Sequence, residues 1–354
     1  MNRVEIIFLF TGFLGIVTGG DEMMGRSRAM NLFVFLAAVL FALVASSTTA
    51  WAQMKVRLNW SATAGTQSGF WVAREEGIFK KNGLEVELIH IPSSSRAIQT
   101  MLAGEIAISY GDARNTVQAV LTGANVTLIA GVSNRLVFSF MARPEFKKVS
   151  DLKGKKIGIT RIGSSTHTAA LFALNQGGLK PGDYQILPLM EVPNILAALM
   201  AGQVDAGPLS PPTNVRARRA GLSELVNLGR DGPEYSSITL ISTRSYIRNN
   251  EEIVRRVVRS YAEAIHLFKT NKSVAFRTIQ KYARIKDPET LEATYTESSD
   301  YLESVPYVSR KGLEIILAEL REQDPKARQA KLEDFLDMRF VAELDKGGFF
   351  KKLQ

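Results

Sequence analysis

Residues 84–112 read LEVELIHIPSSSRAIQTMLAGEIAISYGD. In 84–91, apolar and polar side chains alternate with the period of a half-buried strand. Pro92-Ser93-Ser94-Ser95 supplies a turn and a helix N-cap. The helix runs to Ala103, Gly104 stops it, and 106–110 is a second strand. Gly111-Asp112 opens the next helix. Strand, helix and strand in this order predict a crossover unit of an α/β sheet.

Working outward, the same grammar recurs. Upstream, 54–60 (MKVRLNW) is a strand, 61–68 a polar loop, and 69–81 a helix that ends at Asn82-Gly83. Downstream, 125–131, 136–141, 156–160, 184–189, 205–209, 225–228 and 238–242 read as strands. Gly163-Ser164-Ser165-Thr166 caps a helix to Gln176, 194–201 is a helix, and Pro211-Pro212 opens another. From Glu251 the chain is helical, in segments 251–270, 272–283, 288–301, 309–323 and 329–345. The pattern predicts mostly parallel sheets. Residues 98–107 can be laid over 196–205 at a shift of 98 positions: helix, Gly, one polar residue, strand. Two similar lobes are expected, each presenting loops at the C-terminal ends of its strands, where open α/β sheets bind ligands.

Composition narrows the chemistry. The 354 residues are 45% hydrophobic and 22% charged, an ordinary globular balance. There is no cysteine, so disulfides, thiolate metal sites and a cysteine nucleophile are excluded. Histidine occurs only at His90, His167 and His266, too few for a multi-histidine metal centre. No cofactor is expected. The formal charge is +9, which attracts anions without naming one.

The N-terminus reads as an address. The 14 apolar residues 32–45 follow Arg26 and Arg28 and precede Ala50-Trp51-Ala52. This is the layout of a secretory signal peptide over 1–52, with cleavage after Ala52. A second apolar stretch, 6–17, lies upstream and is followed by Asp21 and Glu22, so translation is expected to start near 23–30. Removal of 1–52 takes away three charges of each sign and leaves +9. An exported, soluble, periplasmic product is expected. No nucleic-acid partner is expected, since no basic recognition helix is present.

No Gly-x-Ser-x-Gly elbow, phosphate loop or dinucleotide fingerprint appears. His167 beside Ser164, Ser165 and Thr166 is a weak nucleophile–base arrangement, because neighbours on a helix point apart. The better reading of 163–166 is a polar cradle: free N–H groups and the positive end of a helix dipole face outward, though N-capping alone explains the same residues. Ser93, Ser94 and Ser95 repeat that form in the first lobe. Trp60 and Tyr110 end strands and suit pocket walls or packing under a loop. Asp112 and Glu191 suit an amine or a solvated cap. The hydroxyl cradles and the net charge lean toward a small anion; Trp60, Tyr110 and Glu191 lean toward a nitrogen heterocycle.

The run 70–88, FWVAREEGIFKKNGLEVEL, together with Leu102–Ala107 (LAGEIA), 151–158 (DLKGKKIG) and 201–206 (AGQVDA), resembles periplasmic ABC-transporter substrate-binding proteins of the nitrate/sulfonate/taurine and thiamine-pyrimidine type. Ala107 stands where that family usually has Asp. The resemblance spans about 54–285. It implies an α/β periplasmic binding protein type II fold of two lobes with two hinge crossings, here near 139–142 and 240–243. Lobe I would comprise 54–141 plus 242–354, and lobe II 142–241. It also implies a monomer that binds a small-molecule ligand and delivers it to an ABC permease with a cytoplasmic ATPase. Positions matching the family's ligand contacts fall in 60–67, 93–95, 111–112, 133–134, 163–167, 191 and 209–211; with the strand-end residue Tyr110, the candidate contacts are Trp60, Gln67, Ser94, Ser95, Tyr110, Asp112, Asn134, Gly163, Ser164, Ser165, Thr166, His167, Glu191 and Ser210. The family's enzymatic relatives use a cysteine-rich segment that this chain lacks, so no catalysis is expected.

Overall fold

The computed structural model describes residues 53–322 and 324–353. The expected signal peptide lies outside them. The chain begins with β1 (Met54–Trp60), α1 (Ser68–Glu75), α2 (Ile78–Lys81), β2 (Leu84–His90), α3 (Ser94–Leu102), β3 (Ile108–Asp112), α4 (Ala113–Leu121) and β4 (Val126–Ser133). It continues with β5 (Ser139–Ala142), β6 (Lys156–Ile159), α5 (Ser165–Gln176), β7 (Gln185–Pro188), α6 (Val192–Met200), β8 (Ala206–Leu209), α7 (Thr213–Arg219), β9 (Ser223–Asn227), α8 (Leu228–Asp231) and β10 (Ile238–Thr243). Helices follow: α9 (Arg244–Asn249), α10 (Glu251–Thr270), α11 (Lys272–Ala283), α12 (Pro288–Tyr301), α13 (Arg310–Arg321), α14 (Pro325–Gln329), α15 (Arg339–Lys346) and α16 (Phe349–Leu353).

Two five-stranded sheets result, ordered β2-β1-β3-β10-β4 and β7-β6-β8-β5-β9. Each has two parallel pairings followed by two antiparallel ones. Four of the five strands in each sheet therefore run the same way, as the expectation of mostly parallel sheets has it, and one runs against them. The strand that arrives from the other lobe, β10 or β5, enters its sheet from the opposite end and runs against its neighbours. The crossings, however, move. Residues 139–142 lie wholly in β5, paired with β8 and β9, and Leu240 lies in β10, paired with β3 and β4. The chain changes sheet at 134–138 and 228–237. These two segments are tied together: Ser237 N–H donates to the Ser133 carbonyl (3.1 Å), Tyr235 N–H to that of Asn134 (2.9 Å), and Leu228 N–H to that of Phe138 (2.9 Å).

The 98-residue shift holds bond for bond. Gly104 and Gly202, at φ +79° and +69°, end α3 and α6 in the left-handed conformation that glycine adopts without strain. Gly104 N–H donates to Met101 O and Gly202 N–H to Leu199 O; Glu105 N–H donates to Thr100 O and Gln203 N–H to Ala198 O. Ala107 N–H then joins Arg57 O at 2.9 Å, as Asp205 N–H joins Lys156 O at 2.8 Å.

The first lobe holds the larger core. All eight residues of β4 are buried, because helices cover both faces of its sheet. In α10, Val254, Val257, Val258, Tyr261, Ile265 and Phe268 recur at helical spacing and are buried. The continuous helices expected at 69–81 and 329–345 are broken. Gly77, at φ +67°, separates α1 from α2. Between α14 and α15 the chain pairs with β4: Leu128 N–H donates to Phe335 O (2.9 Å), and Asp337 N–H to Leu128 O (2.8 Å). Among the described residues no helix is long and apolar enough to cross a membrane.

Candidate functional site

A cleft of about 690 Å³, its open mouth included, lies between the two sheets. Its floor is the apolar hinge: Val137 and Phe138 from one crossing, Ile238 at the end of the other. The first lobe contributes the loop after β1, including Thr66 and Gln67, then His90 at the end of β2, and Ser93 and Ser94 at the start of α3. The second contributes Thr160 after β6, Ser165 and Thr166 at the start of α5, Met190 and Glu191 before α6, and Ser210 after β8. On one side the loops meet directly, Gly65 N–H donating to the Pro211 carbonyl at 3.3 Å. Behind that contact, Arg218 of α7 is ion-paired with Glu297 of α12.

Backbone strain marks the same place. Among the described residues three non-glycines have positive φ: Ser93 (+74°), Met190 (+72°) and Arg284 (+51°). Ser93 and Met190 occupy the equivalent strand-to-helix loop of the two lobes, and both line the cleft. Strain of this kind concentrates at binding sites.

The lining chemistry is specific. Thr160, Ser164 and Thr166 Oγ atoms are mutually 2.9 Å apart, a closed triangle of hydroxyls. In the first lobe Thr66 Oγ1, Ser94 Oγ and His90 Nε2 are buried at the cleft with no hydrogen-bond partner. Such atoms each cost about 1–3 kcal/mol when left unmade. The His90 ring stacks on Trp60, centroids 3.9 Å apart. Burial holds its pKa below the ordinary value, while Glu191 across the cleft pulls it upward. Among the described residues, His90 and Glu191 are the titratable side chains of the lining, and neither lysine nor arginine lines it.

Of the expected contacts, the cleft brings together Gln67, Ser94, Ser165, Thr166, Glu191 and Ser210. The other eight sit elsewhere. Trp60 stands behind His90. Ser95 lines a neighbouring pocket. Tyr110 is buried beneath the β1–α1 loop, its hydroxyl accepting from Phe70 N–H (3.3 Å) and donating to Gln67 O (3.2 Å). Asp112 is the buried N-cap of α4, accepting from Asn115 N–H (2.9 Å), and burial raises its pKa to about 7. Asn134 pins the hinge, donating to Tyr307 O (3.0 Å) and accepting from Ser309 N–H (2.8 Å). Gly163 N–H donates to His167 Nδ1 (3.1 Å), which occupies that nitrogen in a turn. Ser164 accepts from His167 N–H as the N-cap of α5. Thr66 lies in the expected 60–67 loop, whereas His90 and Thr160 lie outside the expected contacts. His90 and Thr160 follow the rule already applied to Trp60 and Tyr110, that strand ends face the cleft. Among the described residues no cluster of three or more His, Asp or Glu is placed to hold a metal.

Comparison with known proteins fits this geometry. The chain is similar to the taurine-binding periplasmic protein of Escherichia coli K12, 25% identical over 60% of this chain and 68% of that protein. It is also similar to the formylaminopyrimidine-binding protein of Halalkalibacterium halodurans, 24% identical over 72% of this chain and 83% of that protein. A solved structure from Bordetella bronchiseptica RB50 shares the fold with a TM-score of 0.76 and 19% identity, covering 84% of this chain and 98% of its own. The family described as NMT1/THI5 like matches residues 66–272. With more than half its length matched, the chain belongs to the NMT1/THI5-like family.

Proposed function

We propose that the chain is the solute-capturing component of an ABC importer, exported to the periplasm, and that it closes on a small solute bearing an amino group or an amino-substituted nitrogen heterocycle. The charge of the cleft carries the ligand class. Glu191 from one lobe and the neutral imidazole of His90 from the other face it, with no lysine or arginine in the lining. A carboxylate only accepts hydrogen bonds, so it selects N–H donors and disfavours a bare anion. The unpartnered Thr66, Ser94 and His90 atoms recover their hydrogen bonds on such a ligand.

The ligand's contacts with both lobes stabilise the closed form, and a membrane permease with a cytoplasmic ATPase is the receiving partner. Capture without conversion is supported by the lining, where His90 stacks on Trp60 and hydrogen-bonds no hydroxyl. A bare anion is the second reading. The start of α5, with Ser165 and Thr166 at the positive end of the helix dipole, favours it.

The test is a melting-temperature panel in matched pairs: taurine against ethanesulfonate, aminopyrimidine against pyrimidine, with nitrate alone. A ligand at about 100 times its dissociation constant stabilises by about 2.7 kcal/mol, a shift of a few degrees. Shifts from the amino members, recovered chemically unchanged, are expected. Shifts from nitrate and ethanesulfonate alone would favour the bare anion, and consumption of the compound would favour an enzyme.

A further inference from the structure

A second pocket lies at the edge of the cleft, between the lobes. It is lined by Ser95, Arg96 and Gln99 of α3 in one lobe and by Arg161, Ile162 and Pro188 of the other. It adjoins the cleft closely: Ser93 lines the cleft, Ser95 lines the pocket, and their hydroxyls are 3.0 Å apart. The inner cleft has no cationic side chain, whereas this pocket has two guanidinium groups and no carboxylate.

Other arginines at contacts between the two lobes are paired, as Arg218 is with Glu297 and Arg219 with Asp287. Among the described residues neither Arg96 nor Arg161 has an ion-pair partner, and Arg161 Nε is buried without any hydrogen bond. Two like charges brought together from opposite lobes oppose closure, and an anion between them reverses the sign. Arginine also suits the task, because its planar fork matches carboxylate, sulfonate and phosphate oxygens.

We propose that this pocket is an anion subsite at the rim of the cleft, where Arg96 and Arg161 hold a carboxylate, sulfonate or phosphate group of the ligand once the lobes close. The proposal rests on the reading of the cleft as the seat of the ligand's amino-bearing end. The ligand is then bipolar: its nitrogen end meets Glu191 inside, and its anionic end meets the two arginines outside. Contacts from Arg96 and Arg161 to one group form only in the closed state, which gives the ligand the differential affinity that closure requires.

The test uses the purified protein and an Arg96→Gln/Arg161→Gln double variant. Melting without ligand checks that the variant is folded. Both proteins are titrated with 4-aminopyrimidine-5-carboxylate and with its carboxamide, and both are melted in rising inorganic phosphate. The expected result is that the native protein prefers the carboxylate by about tenfold, about 1.4 kcal/mol, and that the variant binds both forms equally. Phosphate is expected to raise the native melting temperature more than the variant's; the general salting effect is common to both and cancels. Equal affinity of the native protein for the two compounds, a preference that survives in the variant, or an equal phosphate effect overturns the proposal. If neither compound binds while phosphate still separates native from variant, the anion subsite stands and the amino-group reading of the cleft falls.

Discussion

In the second lobe the hydroxyls of Thr160, Ser164 and Thr166 satisfy one another, whereas in the first lobe Thr66, Ser94 and His90 face the same cleft with unpartnered atoms. The scaffold does not explain the difference, since the two sheets share one pairing order and their strained strand-to-helix loops correspond. Serine- and threonine-rich helix starts look alike in sequence. The second-lobe start spends its hydroxyls on its own turn, whereas in the first Ser93 and Ser95 pair with each other and Ser94 is left open for a ligand. The second lobe then contributes mainly charge, through Glu191.

The largest expected effect tests that charge. Glu191→Ala should weaken binding of an amino ligand by about 10- to 100-fold, the range for a hydrogen bond to a charged group, with melting in the absence of ligand unchanged. Isothermal titration and thermal melting check the two halves. Thr166→Val should do the reverse. It removes the acceptor of the buried Thr160 N–H (2.9 Å), so unfolding free energy falls by about 1–3 kcal/mol in a denaturant titration while affinity changes little. A large loss of affinity there would mean that the second-lobe hydroxyls are contacts after all.

Ser94→Ala and Thr66→Val should each weaken binding by about fivefold, near 1 kcal/mol, without lowering stability, because each removes a buried atom that has no partner in the free protein. A drop in melting temperature with unchanged affinity would erase the contrast between the lobes. A pH-dependent effect concerns Asp112, which the fold buries beside the hinge. Its folded pKa of about 7 lies above the ordinary 3.8. The folded carboxyl therefore holds its proton more tightly than the unfolded one, and its contribution to stability is lost as pH rises from about 4 to about 7. Asp112→Asn keeps an N-cap and removes the ionisation. The variant should gain on the native protein by a few degrees of melting temperature across that pH range.

The sequence made the scaffold readable where signals were local. The Gly104 and Gly202 stops, the Ser164 cap that opens α5, and the strand alternation of β1 and β2 lie within a few residues of what they specify. It failed where distant chain decides. Residues 335–337 lie in a helical pattern but pair with β4, and 139–142 join a sheet completed only at β9. The site divides the same way. That Ser94 and Thr166 sit at helix starts was legible. That Thr166 is already engaged was not, because its partner Thr160 lies across the turn at a strand end. Tyr110 and Asp112 were misplaced because β3 is buried along its whole length.

The central claim is that one ligand nitrogen end joins Glu191 of one lobe to the open hydroxyls and His90 of the other. A crystal structure of the complex with an amino-bearing solute from the binding panel tests it most directly. The account predicts ligand nitrogen about 3 Å from the Glu191 carboxylate, with Ser94, Thr66 or His90 Nε2 hydrogen-bonded to the same molecule. An anionic group seated on the first turn of α5, with Glu191 turned to solvent and the first-lobe atoms still unpartnered, would contradict it.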